Sequence, residues 1–417
     1  MSVISRSNPS ADTPAPKQGV RPRLWDSSVT SYYLILGSTL LLTALGLVMV
    51  LSSSSVTSMV SVGSPYATFV NQARWALIGL PLLWLASRIP SLTYRRLAWV
   101  ILGGAVFLQL LVFSPLGVDV KGNANWIELA GQRFQPSETI KLALVVWLAV
   151  VLSRKHHLLS QWAHVVIPAF PVVAISVGIV LYGHDLGTAM VILVAVGGAL
   201  FTAGVPLRMF GFAGAIMILI VGRMAMTSSN RMTRIGAWLD PDCDRLGACY
   251  QASHGMWGLA EGGVWGMGLG ASRQKWQYLP EAHNDFIFAI IGEELGLWGT
   301  LLVLLLFAVL GIGMARIIRR HPDPFVKIAT GGILAWLLGQ MVINIGGVVG
   351  LLPIIGVPLP LVSAGGSALV MTMLAIGVVL SFARTEPGAK EALAARGSVV
   401  RKTLAVVGRT RSRGTKE

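Results

Sequence analysis

Ten apolar runs, most of them about 20 residues long, divide this chain of 417 residues. A run of about 20 apolar residues is the length of a helix that crosses a bilayer. The bilayer core offers no water to backbone amides, so such runs must close their hydrogen bonds internally. They fall near 32–53, 69–87, 97–113, 136–152, 165–182, 186–203, 207–226, 285–314, 326–349 and 367–382. Composition agrees, with 54% hydrophobic and only 12% charged residues, against roughly 25% charged in soluble domains. The expected fold is an all-α polytopic membrane protein with ten transmembrane helices and a large loop, 227–284, between the seventh and eighth. No internal repeat is evident, which argues against transporters built from inverted repeats.

Orientation follows from where lysine and arginine fall. The turns after the second, fourth and eighth runs carry Arg88, Arg95 and Arg96, then Arg154 and Lys155, then Arg316, Arg319 and Arg320. Basic short loops face the cytoplasm. Both termini are then cytoplasmic, and the 227–284 loop is outside. Residues 1–30, rich in Ser, Pro and Thr, read as a disordered tail. Residues 31–384 form the membrane domain, and 385–417 a basic cytoplasmic tail. Of the 33 basic residues behind the net charge of +15, nine lie between Arg384 and Glu417, against three acids. A basic tail after the last span suits anionic membrane lipid, and no motif for nucleic acid is present.

Charged residues at a membrane boundary are costly and need a reason. The densest group is RQKWQYLPEAHNDFIFAIIGEELG, from Arg273 to Gly296. An acid beside basic residues at this boundary suits proton transfer and anion binding together. Asp285 is the candidate base, or a helix N-cap, and the two roles are compatible. Arg273 and Lys275 add positive charge that favours its carboxylate form. Glu281 and His283 flank it. Upstream glycines in GLAEGGVWGMGLG allow close backbone approach to a ligand.

Other motifs bracket this stretch. In QPSETIK, Glu138 and Lys141 share one helix face and are expected to pair, either as a structural lock or lining a central cavity. Asp185 in HDLGTAM suits an N-cap of the sixth helix. Arg231 and Arg234 suit a phosphate, a pyrophosphate or lipid headgroups. Trp238, Trp257, Trp265 and Trp276 fit an interfacial platform. The Pro/Gly loop from Gly350 to Ser367, with Asn344 before it, suits a rigid wall beside a watery site. Cys243 and Cys249 in the outer loop form a disulfide or remain two thiols. No zinc spacing, Ser-His-Asp set or P-loop is present.

Together NWIEL, FQPSETIK, DLGTA, RMTRI, GMGLGASRQKWQYLPEAHNDFIFAIIGEELG and NIGGVVGLLPIIGVPLPLVSAGGS resemble the SEDS family (shape, elongation, division and sporulation), most closely its division branch. The match runs from about residue 122 to 370. It implies a ten-helix SEDS fold and a peptidoglycan glycosyltransferase that polymerises lipid II. It further implies undecaprenyl-linked glycan as co-substrate, a class B penicillin-binding protein (FtsI-type transpeptidase) and other division proteins as partners, and the bacterial septal membrane as the location. The family's essential acid falls on Asp285, and its cavity ion pair on Glu138 and Lys141. Asn125, Gly183, His184, Asn284 and Ala364 depart from the family pattern. The expected reaction is inverting, with Arg231, Arg234, Arg273 and Lys275 as candidates to hold pyrophosphate and Glu281 and His283 to tune the base or bind the acceptor. No organic cofactor is expected. A divalent cation, Mg2+ or Mn2+, is a candidate helper. The alternatives are a lipid II flippase, an elongation-type polymerase of the same family, or a non-catalytic scaffold.

Overall fold

The computed structural model describes residues 29–120, 123–129, 131–211, 214–215, 222, 229–240 and 242–389. Most of the seventh apolar run, Lys121 and most of both tails lie outside the described residues. Among those described are nine helices of 18 to 34 residues. We label them α1 (Thr30–Val62), α2 (Ala67–Ala86), α3 (Ser91–Leu110), α4 (Ser137–Arg154), α5 (Trp162–Tyr182), α6 (Leu186–Ala203), α9 (Ile287–Arg320), α10 (Pro324–Val348) and α11 (Gly366–Ala383). Two shorter helices, α7 (Ser229–Leu239) and α8 (Tyr250–Gly262), lie in the 227–284 loop. Seven of the long helices are long and apolar enough to cross a membrane. Of the other two, α4 carries Glu138, Lys141 and Arg154.

The long helices pack chiefly as α10 on α6, α11 on α2, and α1 on α9. Their shared interior buries Trp147, Trp336, Phe307 and Phe382. Their outer surface stays apolar, with Leu77, Val100 and Ile167 exposed.

The fold is not purely helical. The stretch between α3 and α4 forms an antiparallel sheet of β1 (Gly117–Val120), β2 (Asn123–Leu129) and β3 (Gln132–Phe134), in that order. Val118 pairs with Trp126, and Glu128 with Arg133. The side chains of β2 alternate, with Asn125 and Ile127 buried and their neighbours less so. Asn125 is fully buried and faces Gln109 of α3 at 3.4 Å. That buried amide breaks the apolar alternation that would mark a strand.

The longest helix, α9, is broken once. Gly296 has φ 67° and ψ −160°, outside helical geometry. The break releases backbone groups that must find other partners. They find them in the glycine-rich segment after α8. Met267 and Gly268 donate their amides to the carbonyls of Glu293 and Glu294 at 2.9 and 3.0 Å, and Leu297 donates to Gly263 at 3.0 Å. Gly266, at φ 77°, lies so close that a Cβ there would collide with the Glu294 carbonyl. Gly262, Gly266 and Gly296 thus serve an approach of backbone to backbone, while Gly263 and Gly268 face open space.

Candidate active site at the outer loops

Asp285 sits two residues before α9 begins, in a tight loop from Pro280 to Phe286. Both Asn284 and Phe286 return their amides to the Glu281 carbonyl, at 3.0 and 3.3 Å. Glu281 itself takes φ 56°, and its carboxylate accepts from the Asn284 side chain. The loop is then fastened to the Pro/Gly stretch between α10 and α11. The Ala364 amide donates to the His283 carbonyl at 2.9 Å. The Ser363 hydroxyl donates to the Asn284 carbonyl at 2.6 Å and accepts from the Leu359 amide at 2.8 Å. Asn344 of α10 donates to the carbonyls of Asp285 and Val357, each at 2.8 Å. From α2, Gln72 bonds the Ser363 carbonyl at 3.1 Å and the Gly365 amide at 3.0 Å. Two helices thus fix the backbone that carries Asp285, α10 directly and α2 through the Pro/Gly stretch.

Asp285 borders a cleft with Ile343, Asn344, Gly347, Ile354 and Gly356. Gly356 has φ 80°, and a Cβ there would stand 3.5 Å from the Asp285 carboxylate oxygen. Arg234 of α7 reaches over the same wall, with Nη1 donating to the Ile354 carbonyl at 3.4 Å, and Trp238 Nε1 donates to the Gly350 carbonyl at 3.0 Å. Arg234 and Arg273 are exposed, and Glu281 and His283 half-buried. The side chain of Arg231 lies outside the described residues. Among the described residues, no three His, Cys, Asp or Glu side chains converge to hold a metal.

Lys275 is a correction to the sequence reading. It is 6% exposed, and its ammonium lies 3.5 Å from the Glu294 carboxylate while donating to the Gly270 carbonyl. Ser52 of α1 donates to both Glu294 oxygens, at 2.6 and 2.7 Å. Next to it, Glu293 is fully buried and accepts from the Ser272 hydroxyl at 2.5 Å and the Arg273 amide at 2.6 Å. A buried ammonium with a carboxylate partner is held by that partner. Lys275 locks the loop to α9 and α1 instead of presenting a charge to substrate.

Glu138 and Lys141 do pair, at 2.8 Å, with side chains only 3% and 2% exposed. Lys141 also lies 4.7 Å over the Trp336 ring and donates to Gln340 Oε1 at 3.2 Å. Gln340 passes the link on, donating to the Pro358 carbonyl at 2.8 Å. The pair is therefore a packed prop under the Pro/Gly loop. Asp185 caps α6 through the Thr188 amide at 2.8 Å and takes a second bond from Gln135 at 2.8 Å. Cys243 and Cys249 are joined as a disulfide. The sequence reading missed Gln72, Ser363 and Gln340. Two of these are amides inside apolar runs, the kind of residue that marks function or packing in membrane helices.

A family model described as a cell cycle protein, spanning FtsW, RodA and SpoVE, matches residues 32–387. The chain belongs to the FtsW/RodA/SpoVE family. Among relatives, the probable peptidoglycan glycosyltransferase FtsW of Mycobacterium tuberculosis is 38% identical, across 93% of this chain and 74% of that protein. Stage V sporulation protein E of Bacillus subtilis is 36% identical, across 83% of this chain and 95% of its own length. A chain from a solved peptidoglycan synthase complex, described as coordinating polymerization and crosslinking, superposes with TM-score 0.69 at 25% identity, covering 84% of this chain and 96% of that one. RodA of Thermus thermophilus shares the fold, with TM-score 0.63 at 24% identity over 85% of this chain and 97% of its own. Membership in the FtsW/RodA/SpoVE family and the apolar helices make this a multi-pass membrane protein.

Proposed function

We propose that the chain joins lipid II disaccharide units into glycan strands at the outer membrane face, with Asp285 as the base. The chain is a peptidoglycan glycosyltransferase of the FtsW type, and relatives with that name align along most of its length. The observation that carries the residue-level reading is Asp285 itself. It is the carboxylate at a cleft walled by α10 and the Pro/Gly stretch, on a loop fastened by α10 and, through that stretch, by α2.

In this reading the Asp285 carboxylate accepts the proton of the GlcNAc 4-hydroxyl. The oxygen attacks C1 of the MurNAc on the partner chain from the face opposite the leaving group. The C1–O bond to undecaprenyl pyrophosphate breaks, and the bond electrons leave with the pyrophosphate. That leaving group is already a stable anion, so one carboxylate suffices. Glycoside hydrolysis differs in needing two. Arg234, Arg273 and Arg231 are the cations we assign to the pyrophosphate, and Lys275 is withdrawn from that set. Glu281 and His283 shape the loop beside the acceptor. No step is routed through a metal.

In this reading the nine long helices and the run at 207–226 make ten spans, with both termini cytoplasmic by the charge rule. A class B transpeptidase is the partner this reading requires, and the division septum is its place of action.

The test is polymerisation of purified lipid II by the protein with its cognate transpeptidase, wild type against Asp285→Ala. Loss of one general base costs about a hundredfold or more. Polymer from wild type and none from an equally assembled variant supports the reading. Equal polymer from both overturns it. Absence of polymer, with wild-type-dependent passage of lipid II across vesicle membranes, would instead establish the flippase.

A further inference from the structure

A second cavity lies at the other end of the molecule, far in sequence from the outer loops. It is about 450 Å³ and is lined by Leu92, Arg95 and Arg96 at the start of α3, Ser153 and Arg154 at the end of α4, and Asp323 just before α10. Three arginines face one aspartate, so the lining keeps a surplus of positive charge. Arg95 pairs with Asp323, and its guanidinium also rests 4.9 Å over the Phe325 ring. That pairing leaves the Arg95 Nε buried with no hydrogen-bond partner. A buried guanidinium donor left unmade is expensive, and a ligand acceptor would satisfy it.

The helix ends point the same way. The N-cap of α3 is Pro90, which offers no side-chain cap to the first-turn amides. The N-terminal end of a 20-residue helix carries partial positive charge and free N–H groups suited to an anion. Arg96 and Arg154 stay exposed at the rim. Their forked donors match phosphate oxygens in pairs. Beside them Leu92, Leu97 and Val100 are exposed apolar side chains of the same helix, facing the lipid level. An anion bound here would have hydrocarbon immediately next to it.

We infer that this cavity binds a phosphate-bearing anion, presented by the headgroup of an acidic phospholipid in the leaflet that faces the basic turns. The phosphate sits between Arg96 and Arg154 and accepts from Arg95 Nε, while the acyl chains lie along Leu97 and Val100. Basic pockets between membrane helices on the cytoplasmic side suit such headgroups. The site is separate from the outer cleft, so it stands or falls independently of glycosyl transfer.

The experiment uses full-length protein with phosphatidylglycerol or phosphatidylcholine, read by native mass spectrometry, and inorganic phosphate alone, read by thermal shift. The Arg96→Gln/Arg154→Gln variant removes the rim and leaves the Arg95–Asp323 pair in place. Ser153→Asp, which puts a carboxylate into the cavity, is the second variant. Wild type should retain one phosphatidylglycerol per chain and no phosphatidylcholine. Loss of both arginines should weaken retention roughly thirtyfold, and Ser153→Asp should weaken it as well. Equal retention by wild type and both variants would overturn the site. Stabilisation by inorganic phosphate, with no retention of phosphatidylglycerol, would overturn the lipid source and assign a soluble phosphate.

Discussion

Asn344 holds the main chain of Asp285. Its amide donates to the Asp285 carbonyl and to the Val357 carbonyl at 2.8 Å each, so one side chain ties the acid's loop to the opposite wall of the cleft. The bonds fix the acid's backbone through its carbonyl. A misplacement of about 1 Å at such a group can cost about a hundredfold in rate.

Asn344→Ala should therefore lower polymerisation by about ten- to a hundredfold while the protein still assembles with its transpeptidase. Lipid II turnover by the matched complexes measures this. Unchanged turnover would show that the other fastenings, through Ser363 and Gln72, suffice alone.

The buried Glu294–Lys275 contact makes a different prediction. Removing one member of a buried pair strands a charge and costs about 3–5 kcal/mol. Glu294→Gln should lower thermal stability in detergent sharply. Glu294→Gln with Lys275→Met should recover much of the loss, because no charge is then left buried. A double variant no better than the single one would contradict the pairing.

Close approach of α8 to α9 rests on Gly262. A Cβ at this position would collide with the Gly292 carbonyl, backbone that has no room to yield. Gly262→Ala should cost about 1–3 kcal/mol by overpacking. It should also open the 263–275 segment to protease, which limited proteolysis would detect.

Stability should carry a pH signature from His321, in the link between α9 and α10. Its Nδ1 accepts the Asp323 amide at 3.1 Å, and its Nε2 lies 3.2 Å from the Thr385 hydroxyl. Burial pushes its pKa below the usual value. Asp323 opposes this, and Lys327 and Arg95 add to it. The unfolded chain then binds more protons than the fold as pH falls below about 6.5, so stability is lost from there down toward the lowered folded value. Glu386 acts with the opposite sign, since burial pushes its pKa up and stability declines as pH rises above the ordinary glutamate value. Melting curves between about pH 5 and 7 should show a shallower acid loss for His321→Gln. Identical slopes in both proteins would refute the assignment.

The helices were legible because the bilayer imposes one length and one pairing rule on every span. The run at 186–203 and the helix Leu186–Ala203 coincide. The Glu138–Lys141 pair was equally open to reading, since spacing of three puts both on one face. The sheet was not, because buried Asn125 occupies a position where a strand signal needs an apolar residue. Nor was the fate of Lys275. Its partner and the serine that completes the set come from Glu294 and from Ser52, 242 residues before Glu294. Helix periodicity says nothing about contacts at such separations.

The break at Gly296 also sets an elevation. Below it, α9 runs on to Arg320 as 24 further residues, or about 36 Å at about 1.5 Å per residue. The hydrocarbon core is about 30 Å thick. One uninterrupted rod therefore already accounts for the full depth of oil. Glu293, Glu294 and Asp285 all lie on the far side of the break from that rod. In the function proposed above, a lipid-borne pyrophosphate would meet Asp285 just beyond that rod, without being lifted out of the membrane.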